Sequence, residues 1–345
     1  MFENYIIHEQ ITLLEALKQI NAIKSGPLVL FVVNNNGQMV GTLTDGDSRR
    51  ALISGAKVTD PILKIMHKDF NFLRKGYNDD VFHIKEQKEK KMHLVPILDV
   101  ENKIIDIINL ERYKSRLPID AVLMAGGKGV RLRPLTEKTP KPLLPVGDKP
   151  IIDYNIESLI SFGIKHISVT VNYLREQLEQ HFENPIGEVK VECVREPDFL
   201  GTIGATQFVG KYYNDTILVM NSDLFTNIDL EDFYLHFINN NADISVAAMP
   251  YSVTVPYGIF ELEGRNIMGV KEKPVFDFFA NAGIYLIKRS ILENIPKNVV
   301  YNATDLIGDA VKDGKNVIRY PITGYWLDIG NHSEYQKAQD LVKHI

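Results

Sequence analysis

The chain has 345 residues, more than one hydrophobic core usually serves, and 45% apolar against 24% charged residues excludes a fibre or a disordered chain, so two globular domains are expected. A formal net charge of −5 with a pI near 6.0 gives no overall positive field for nucleic acid or an anionic membrane, so any phosphate site must be a local cluster. The single cysteine, Cys193, excludes an intrachain disulfide and suits a reducing compartment; no apolar run approaches the roughly 18 residues of a membrane span, and MFENYIIHEQ does not read as a signal peptide, so a cytoplasmic location is expected.

Residues 1–117 mix short β-rich runs with short helical patterns, an α+β grammar. Leu28 to Val33 and Val40 to Thr44 predict strands on either side of the turn NNNG; Leu94 to Leu98 and Ile104 to Ile108 do the same around DVEN. The two groups form a weak internal repeat of stacked, equivalent units. The run KEQKEKK, residues 85–91, reads as a solvated helix face. Tyr113 to Pro118, polar and ending in Leu-Pro, marks the boundary and gives domains of 1–117 and 118–345.

From Ile119 onward strands alternate with helices. Asp120 to Ala125 predicts a buried strand, Ile151 to Phe162 an amphipathic helix, Ile167 to Val171 a strand, and Tyr173 to Phe182 a helix. Val189 to Val194, carrying Cys193, and Thr216 to Met220 are further strands, and Ser333 to Ile345 is a closing helix. This alternation implies an α/β, Rossmann-like domain with a mainly parallel sheet, whose ligands bind beyond the carboxyl ends of the strands. No hexapeptide repeat is present, so no acetyltransferase β-helix is expected.

Directly after the first of these strands comes AGGKGVRLRPLTEKTPKPLLPV, residues 125–146. Gly126, Gly127 and Gly129 carry no side chain to hold a ligand away, so backbone N–H groups can cradle phosphate oxygens. Arg131 and Lys141 add a forked and a point-like cation. GxxxxGK[ST] is absent, and basic residues crowded behind the glycines do not suit a dinucleotide fingerprint. Taken alone, GGxG reads as readily as a surface turn.

The longer pattern is more specific. Leu123 to Thr136 and Pro140 to Val146 are followed in order by Glu196 to Ala205, Val219 to Asp223, Glu272 to Pro274, Asn281 to Tyr285 and Trp326 to Gly330. Over residues 119–345 this resembles the sugar-phosphate nucleotidyltransferase family, and the Asn172-Tyr-Leu and Glu-Pro-x-x-Leu-Gly-Thr segments resemble its guanylyltransferase branch. The resemblance implies attack by a sugar 1-phosphate oxygen on the α-phosphorus of an NTP, GTP in that branch, with pyrophosphate leaving. That nucleophile is already anionic, so positioning and charge stabilisation carry the catalysis rather than a general base.

The same resemblance assigns roles. It implies that Arg131 and Lys141 meet the triphosphate, and that Ala125, Gly126, Gly127 and Gly129 hold the nucleotide through their backbone. Glu196 would accept from guanine, and Gly201 and Thr202 would lie beside the nucleoside, although Thr202 serves equally well as a helix cap where Leu200 to Ala205 predicts a helix start. Lys273 grips the sugar phosphate, and Gly258, Glu272 and Asn281 face the sugar hydroxyls. Asp223 and Asp328 share one Mg²⁺, to which hard carboxylate oxygens are suited. Outside this frame either aspartate reads as a turn or cap, and Glu272–Lys273 as a solvated ion pair.

Near the N-terminus GTLTDGDSRRAL, residues 41–52, resembles the end of a cystathionine-β-synthase-type (CBS) repeat. This implies a pair of such repeats with an adenine or guanine nucleotide effector held by Thr44 and Asp47. The second repeat has Asn109 and Arg112 at the matching positions, so one site per pair is expected. A dimerisation platform with no ligand is the plainer reading, and a homo-oligomer is expected on either. A CBS pair ahead of this core is similar to bacterial enzymes that make GDP-glucosamine, which makes glucosamine 1-phosphate a candidate substrate. The alternatives are a uridylyl- or thymidylyltransferase, or a degenerate nucleotide-sensing module, against which intact Arg131, Lys141, Asp223, Lys273 and Asp328 count.

Overall fold

The computed structural model describes residues 2–77 and 80–344, so Ile345 of the predicted closing helix lies outside the described residues. The chain divides into two compact units, Met1–Arg116 and Leu117–Ile345.

The N-terminal unit builds one pattern twice. β1 (Ile6–His8), α1 (Leu13–Ala22), β2 (Val29–Val33) and β3 (Met39–Thr44) form a three-stranded sheet, β1 parallel and β3 antiparallel to β2, and α2 (Asp45–Ile53) follows. β4 (Leu73–Arg74), α3 (Val81–Glu89), β5 (Leu94–Leu98) and β6 (Ile104–Asn109) repeat those pairings. The local chemistry explains the helix starts. Thr12 and Glu15 form a capping box at α1, and Thr44 and Asp47 form another at α2. Leu13, Ala16 and Ile20 then recur at helical spacing on the buried face of α1. Each half has its own apolar cluster, and Phe31, Met39, Leu94 and Leu98 form a third that neither half could bury alone.

The C-terminal unit opens with β7 (Ile119–Met124), the short ribbon β8 (Pro145–Val146) and β9 (Lys149–Pro150), α4 (Ile151–Ser161), β10 (Ile167–Val171), α5 (Arg175–His181) and β11 (Val191–Arg195). There follow β12 (Thr216–Asn221), β13 (Leu224–Thr226), α6 (Leu230–Asn239), β14 (Ile244–Thr254), β15 (Ile259–Glu263), β16 (Asn266–Lys271) and β17 (Val275–Lys288). The unit continues with α7 (Arg289–Leu292), α8 (Ala303–Lys312), β18 (Val317–Pro321), β19 (Trp326–Asp328) and α9 (His332–Leu341). Its seven-stranded sheet has the order β11-β10-β7-β12-β17-β14-β18, in which β17 alone runs against its neighbours. The sheet is mainly parallel, as expected, and its central strands are mostly apolar and buried along nearly their whole length, covered on both faces. The chain moves outward from β7 through β10 to β11, then returns to lay β12 on the other side of β7, so the carboxyl end of β7 is a switch point where ligands bind.

The structure departs from expectation in places. The helix predicted from Leu200 is absent: Leu200 to Ile203 turns and only a 3₁₀ stretch, Gly204–Phe208, follows. β12 runs one residue beyond the predicted end, to Asn221, and Asp223 lies in the short link to β13. β14 and β17 also outrun the sheet, and with β15 and β16 form a long antiparallel arm that no sequence pattern announced. No helix among the described residues is long and apolar enough to cross a membrane.

Candidate active site

Regular structure stops where β7 meets the ligand edge. Ala125 is buried and donates its N–H to the Thr170 carbonyl of β10 at 3.0 Å, and the glycines come next. Gly129 has a left-handed φ of +59°, and a Cβ there would press on Thr136 at 3.0 Å and Lys141 at 3.1 Å, so both the backbone and the space require glycine. The Thr136 hydroxyl fixes this turn by donating to the Gly129 carbonyl at 2.8 Å, and the Tyr173 hydroxyl in turn donates to the Thr136 carbonyl at 3.1 Å. The loop rims a cavity of about 270 Å³ that Arg131, Lys141, Ser222, Asp223 and Gly330 complete.

Two strand links carry the carboxylates. The Ser222 hydroxyl donates to the Met124 carbonyl at 2.7 Å, and the buried Asn155 amide on α4 donates to the Leu224 carbonyl at 2.9 Å and the Ser222 carbonyl at 3.3 Å. Asp223 is therefore gripped on both flanks. Asp328 closes β19 directly opposite Leu224, and the next N–H, of Ile329, donates to the Asp223 carbonyl at 3.2 Å. The Trp326 indole donates to the Ala282 carbonyl of β17 at 2.9 Å and pins β19 from the other side. A pairing of only three residues thus sets two aspartates, distant in sequence, side by side.

The Lys141 ammonium meets Asp223 Oδ2 and stands 3.7 Å from Asp328 Oδ1. The Arg131 guanidinium lies against Gly330, where a Cβ would come within 3.1 Å of Nη2. Burial first, and then the charge of Asp223, hold the Asp328 carboxyl above its ordinary range, while Lys141 and Arg131 pull it down. Two crowded carboxylates sharing one close lysine fit a hard divalent cation, which commonly takes one or two protein carboxylates and fills its shell with water and substrate phosphates. No cluster of three potential ligand side chains occurs among the described residues, so phosphate and water would have to supply the remaining oxygens.

Glu196 does not line this cavity but is packed behind the glycine loop, against Gly126. It is 2% exposed, accepts from Leu200 N at 2.7 Å through Oε1, and turns Oε2 toward Gly126. The Asn172 side-chain amide donates to its carbonyl at 3.1 Å. Burial holds the Glu196 carboxyl above its ordinary range, partly offset by the Leu200 N–H.

The other expected residues are not gathered in this cavity. Gly201 has a different reason to be glycine: its φ is +82° and a Cβ would collide with the Tyr301 carbonyl oxygen at 2.7 Å. Thr202 accepts from Ala303 N at 2.9 Å, so its hydroxyl caps α8, a helix far along the chain, and not the one predicted to start beside it. Gly258 and Glu272 face each other across the arm, with 3.0 Å between a Cβ at Gly258 and Glu272 Oε2; Lys273 follows with a φ of +43°, and all three are exposed. Asn281, also exposed, accepts from Gly283 N at 2.9 Å and neighbours Ala282, the Trp326 anchor. Asn155, Ser222 and Trp326 are supports that sequence reasoning missed; a buried asparagine within an apolar helix was the one available signal.

In the N-terminal unit Thr44 and Asp47 line a separate cavity of about 570 Å³ with Arg50, His67, Lys91 and His93. Each also serves its own helix. The Thr44 hydroxyl donates to Asp47 Oδ2 at 2.7 Å and accepts from Asp47 N at 3.1 Å. Asn109 accepts from Glu111 N and Arg112 N in a turn with no helix behind it, which is how the second repeat departs from the first.

Residues 120–344 match the family model described as nucleotidyl transferase. Among curated proteins, the mannose-1-phosphate guanylyltransferase of Mycobacterium tuberculosis is 29% identical over 236 residues, 66% of each chain. The bifunctional protein GlmU of Methanocaldococcus jannaschii is 32% identical over 220 residues, 61% of this chain and 51% of that one. The chain thus spans about half to two thirds of the length of these relatives. A crystal structure of a Bacillus anthracis protein classed as a glucose-1-phosphate thymidylyltransferase, in complex with a sucrose, superimposes with a TM-score of 0.53 at 26% identity, covering 66% of this chain and 96% of that one.

Proposed function

Because the chain belongs to the nucleotidyl transferase family through residues 120–344, we propose that it joins a sugar 1-phosphate to a nucleoside triphosphate, GTP by preference, with release of pyrophosphate. The observation that carries this reading is Lys141 held between Asp223 and Asp328 at the mouth of the glycine loop.

Each step falls to a residue of this chain. Backbone N–H groups at Gly126, Gly127 and Gly129 approach the triphosphate, and Arg131 and Lys141 neutralise it. Asp223 and Asp328 would hold Mg²⁺, which when bound screens phosphate charge and orients the reacting oxygens. The sugar phosphate oxygen then attacks the α-phosphorus in line with the departing pyrophosphate. No proton has to be moved, so the rate comes from alignment and fixed charge. Lys273 receives the sugar phosphate, with Gly258, Glu272 and Asn281 at the sugar hydroxyls. Glu196 presents a carboxylate to the N–H edge of guanine, a pairing that a pyrimidine base cannot match. The mannose-1-phosphate guanylyltransferase among the relatives supports this base, and the amino sugar glucosamine 1-phosphate is our candidate acceptor.

The N-terminal unit is read as a CBS-type pair taking one purine nucleotide at Thr44 and Asp47. Support comes from the doubled strand pattern and the cavity with Arg50, Lys91 and His93. A panel of NTPs against hexose and hexosamine 1-phosphates, followed by pyrophosphate release with Mg²⁺, tests the activity. The largest kcat/KM is expected with GTP; a larger one for UTP or dTTP with every sugar would overturn the base assignment, and no turnover with any pair would overturn the activity.

A further inference from the structure

The turn that follows Glu196 is stapled to the start of α8, about a hundred residues further along the chain. The Tyr301 carbonyl accepts from Gly204 N at 3.1 Å and from Ile203 N at 3.2 Å, and Tyr301 N donates back to the Leu200 carbonyl at 2.9 Å. Asn302 Oδ1 accepts from Thr202 N at 3.3 Å, and Ala303 N donates to the Thr202 hydroxyl at 2.9 Å. At Gly201 the two segments are too close for a side chain, since a Cβ would stand 2.7 Å from the Tyr301 carbonyl oxygen and 2.8 Å from Asn302 Oδ1.

Helix capping does not require this much. Asn302 already shares a capping box with Asp305, donating its backbone N–H at 2.9 Å and its side-chain amide at 3.0 Å to Asp305 Oδ2. The bonds to residues 200–204 serve the turn instead, which has no regular structure of its own before the 3₁₀ stretch and contains two glycines. Such a segment has many conformations to lose, so its shape has to come from outside. Ile203, fully buried, adds an apolar anchor in the cluster that holds Ala303 and Leu306 of α8.

The other end of the turn leads to the nucleotide loop. Leu200 N donates to Glu196 Oε1 at 2.7 Å, and Glu196 Oε2 lies against Gly126. A continuous run of contacts therefore joins Tyr301 and Asn302 to Leu200, Leu200 to Glu196, and Glu196 to the glycine loop. We propose, resting on the reading that Gly201 and Thr202 lie beside the nucleoside, that Asn302 is a positioning residue for the nucleotide: with the Tyr301 peptide it sets the Leu200–Gly204 turn without itself meeting the ligand. The nucleoside end of the triphosphate is remote from the reacting phosphorus and is held alike in the ground and transition states. Loosening the turn therefore raises KM for the triphosphate and leaves kcat in place.

Asn302→Ser in the intact protein separates the two duties of this residue. Serine caps a helix as well as asparagine does, but its shorter side chain does not reach Thr202 N. Melting followed by circular dichroism should stay close to the parent's. KM for GTP, or for whichever triphosphate the parent prefers, should rise about three- to tenfold, the scale of one lost hydrogen bond, with kcat and the KM for the sugar 1-phosphate unchanged. The exchange Asn302→Asp with Asp305→Asn keeps an acceptor at 302 and the bond between the two residues, and should restore KM. Hydrogen exchange on the parent needs no variant: the triphosphate with Mg²⁺ should slow amide exchange in residues 298–304 together with residues 200–204. These results support the proposal. A parent-like KM in Asn302→Ser overturns it, as do both KM values rising together while the melting temperature falls, or protection confined to residues 200–204. A parent that neither turns over nor gains protection with any triphosphate overturns the nucleoside reading itself, and the proposal with it.

Discussion

Glu196 occupies the space that a side chain at Gly126 would need: a Cβ there would lie 2.5 Å from Glu196 Oε2. The carboxylate cannot simply swing away, because its other oxygen accepts from Leu200 N and the residue is buried. Gly126→Ala should therefore lower stability by about 1–3 kcal/mol, as overpacking does, and raise KM for GTP. Gly127→Ala meets nothing within 4 Å and should leave the melting temperature unchanged, so equal melting curves for both variants would refute the steric argument.

The same carboxyl gives a pH signature. Burial raises the Glu196 pKa in the folded state, so the folded chain keeps that proton to higher pH than the unfolded chain does. Its stabilising contribution is present below the ordinary glutamate range and is lost as pH rises through the raised value. Glu196→Gln should thus gain melting temperature relative to the parent between about pH 4 and pH 7, in line with a reference glutamate pKa near 4.3. A difference between the two melting curves that does not vary with pH would contradict this.

Metal dependence should run through both aspartates. Asp223→Asn and Asp328→Asn keep the shape and remove a charge, and each should cost roughly a hundredfold or more in kcat, the scale of losing one strong electrostatic stabiliser. Binding that favours the folded state also raises its stability. Mg²⁺ with GTP should lift the melting temperature of the parent and lift that of either variant less. Near-normal Mg²⁺-dependent turnover in both variants would remove these residues from the metal.

Asp47 has two separable duties. As the partner of Thr44 in a capping box it steadies α2, so Asp47→Ala should destabilise the N-terminal unit by about 1 kcal/mol whatever it binds. As a nucleotide ligand it should also decide calorimetric binding of ATP or GTP to the intact protein, with turnover shifting about 5- to 150-fold, the usual range of a coupling energy. Loss of stability with unaltered nucleotide titrations would leave the unit a platform.

The parts that could be read from sequence were those whose signal is local. Of the strands from Ile119 to Asn221, β7, β10 and β12 are mostly apolar and buried and β11 alternates, and their ends were predicted to within about two residues. The glycine loop announces itself through three glycines and the cations behind them. Long-range causes stayed hidden. Gly201 is fixed by Tyr301 and Thr202 by Ala303, partners about a hundred positions away that no window contains. Asn155 reads as an interruption of an apolar helix until Ser222 and Leu224 arrive to accept from it. The arm eluded the pattern because it carries large apolar side chains at exposed positions, such as Tyr251 and Phe278, where apolar character does not report burial in the core.

The short pairing of β13 with β19 also sets a schedule. Arg131 and Asp328 are separated by about 200 residues, which at roughly 5–20 residues per second is about 10–40 s of synthesis. The nucleotide loop and β7 are made as that interval begins and Asp223 about midway through it, yet the carboxylate opposite Asp223 does not exist until its end. Only when β19 docks, and α9 clasps the loop segment through Tyr335 and Gln339 to the Pro145 carbonyl, do all the charges around Lys141 stand together. Until β19 has been made and has paired with β13, Lys141 therefore faces Asp223 alone and the paired-carboxylate site does not exist.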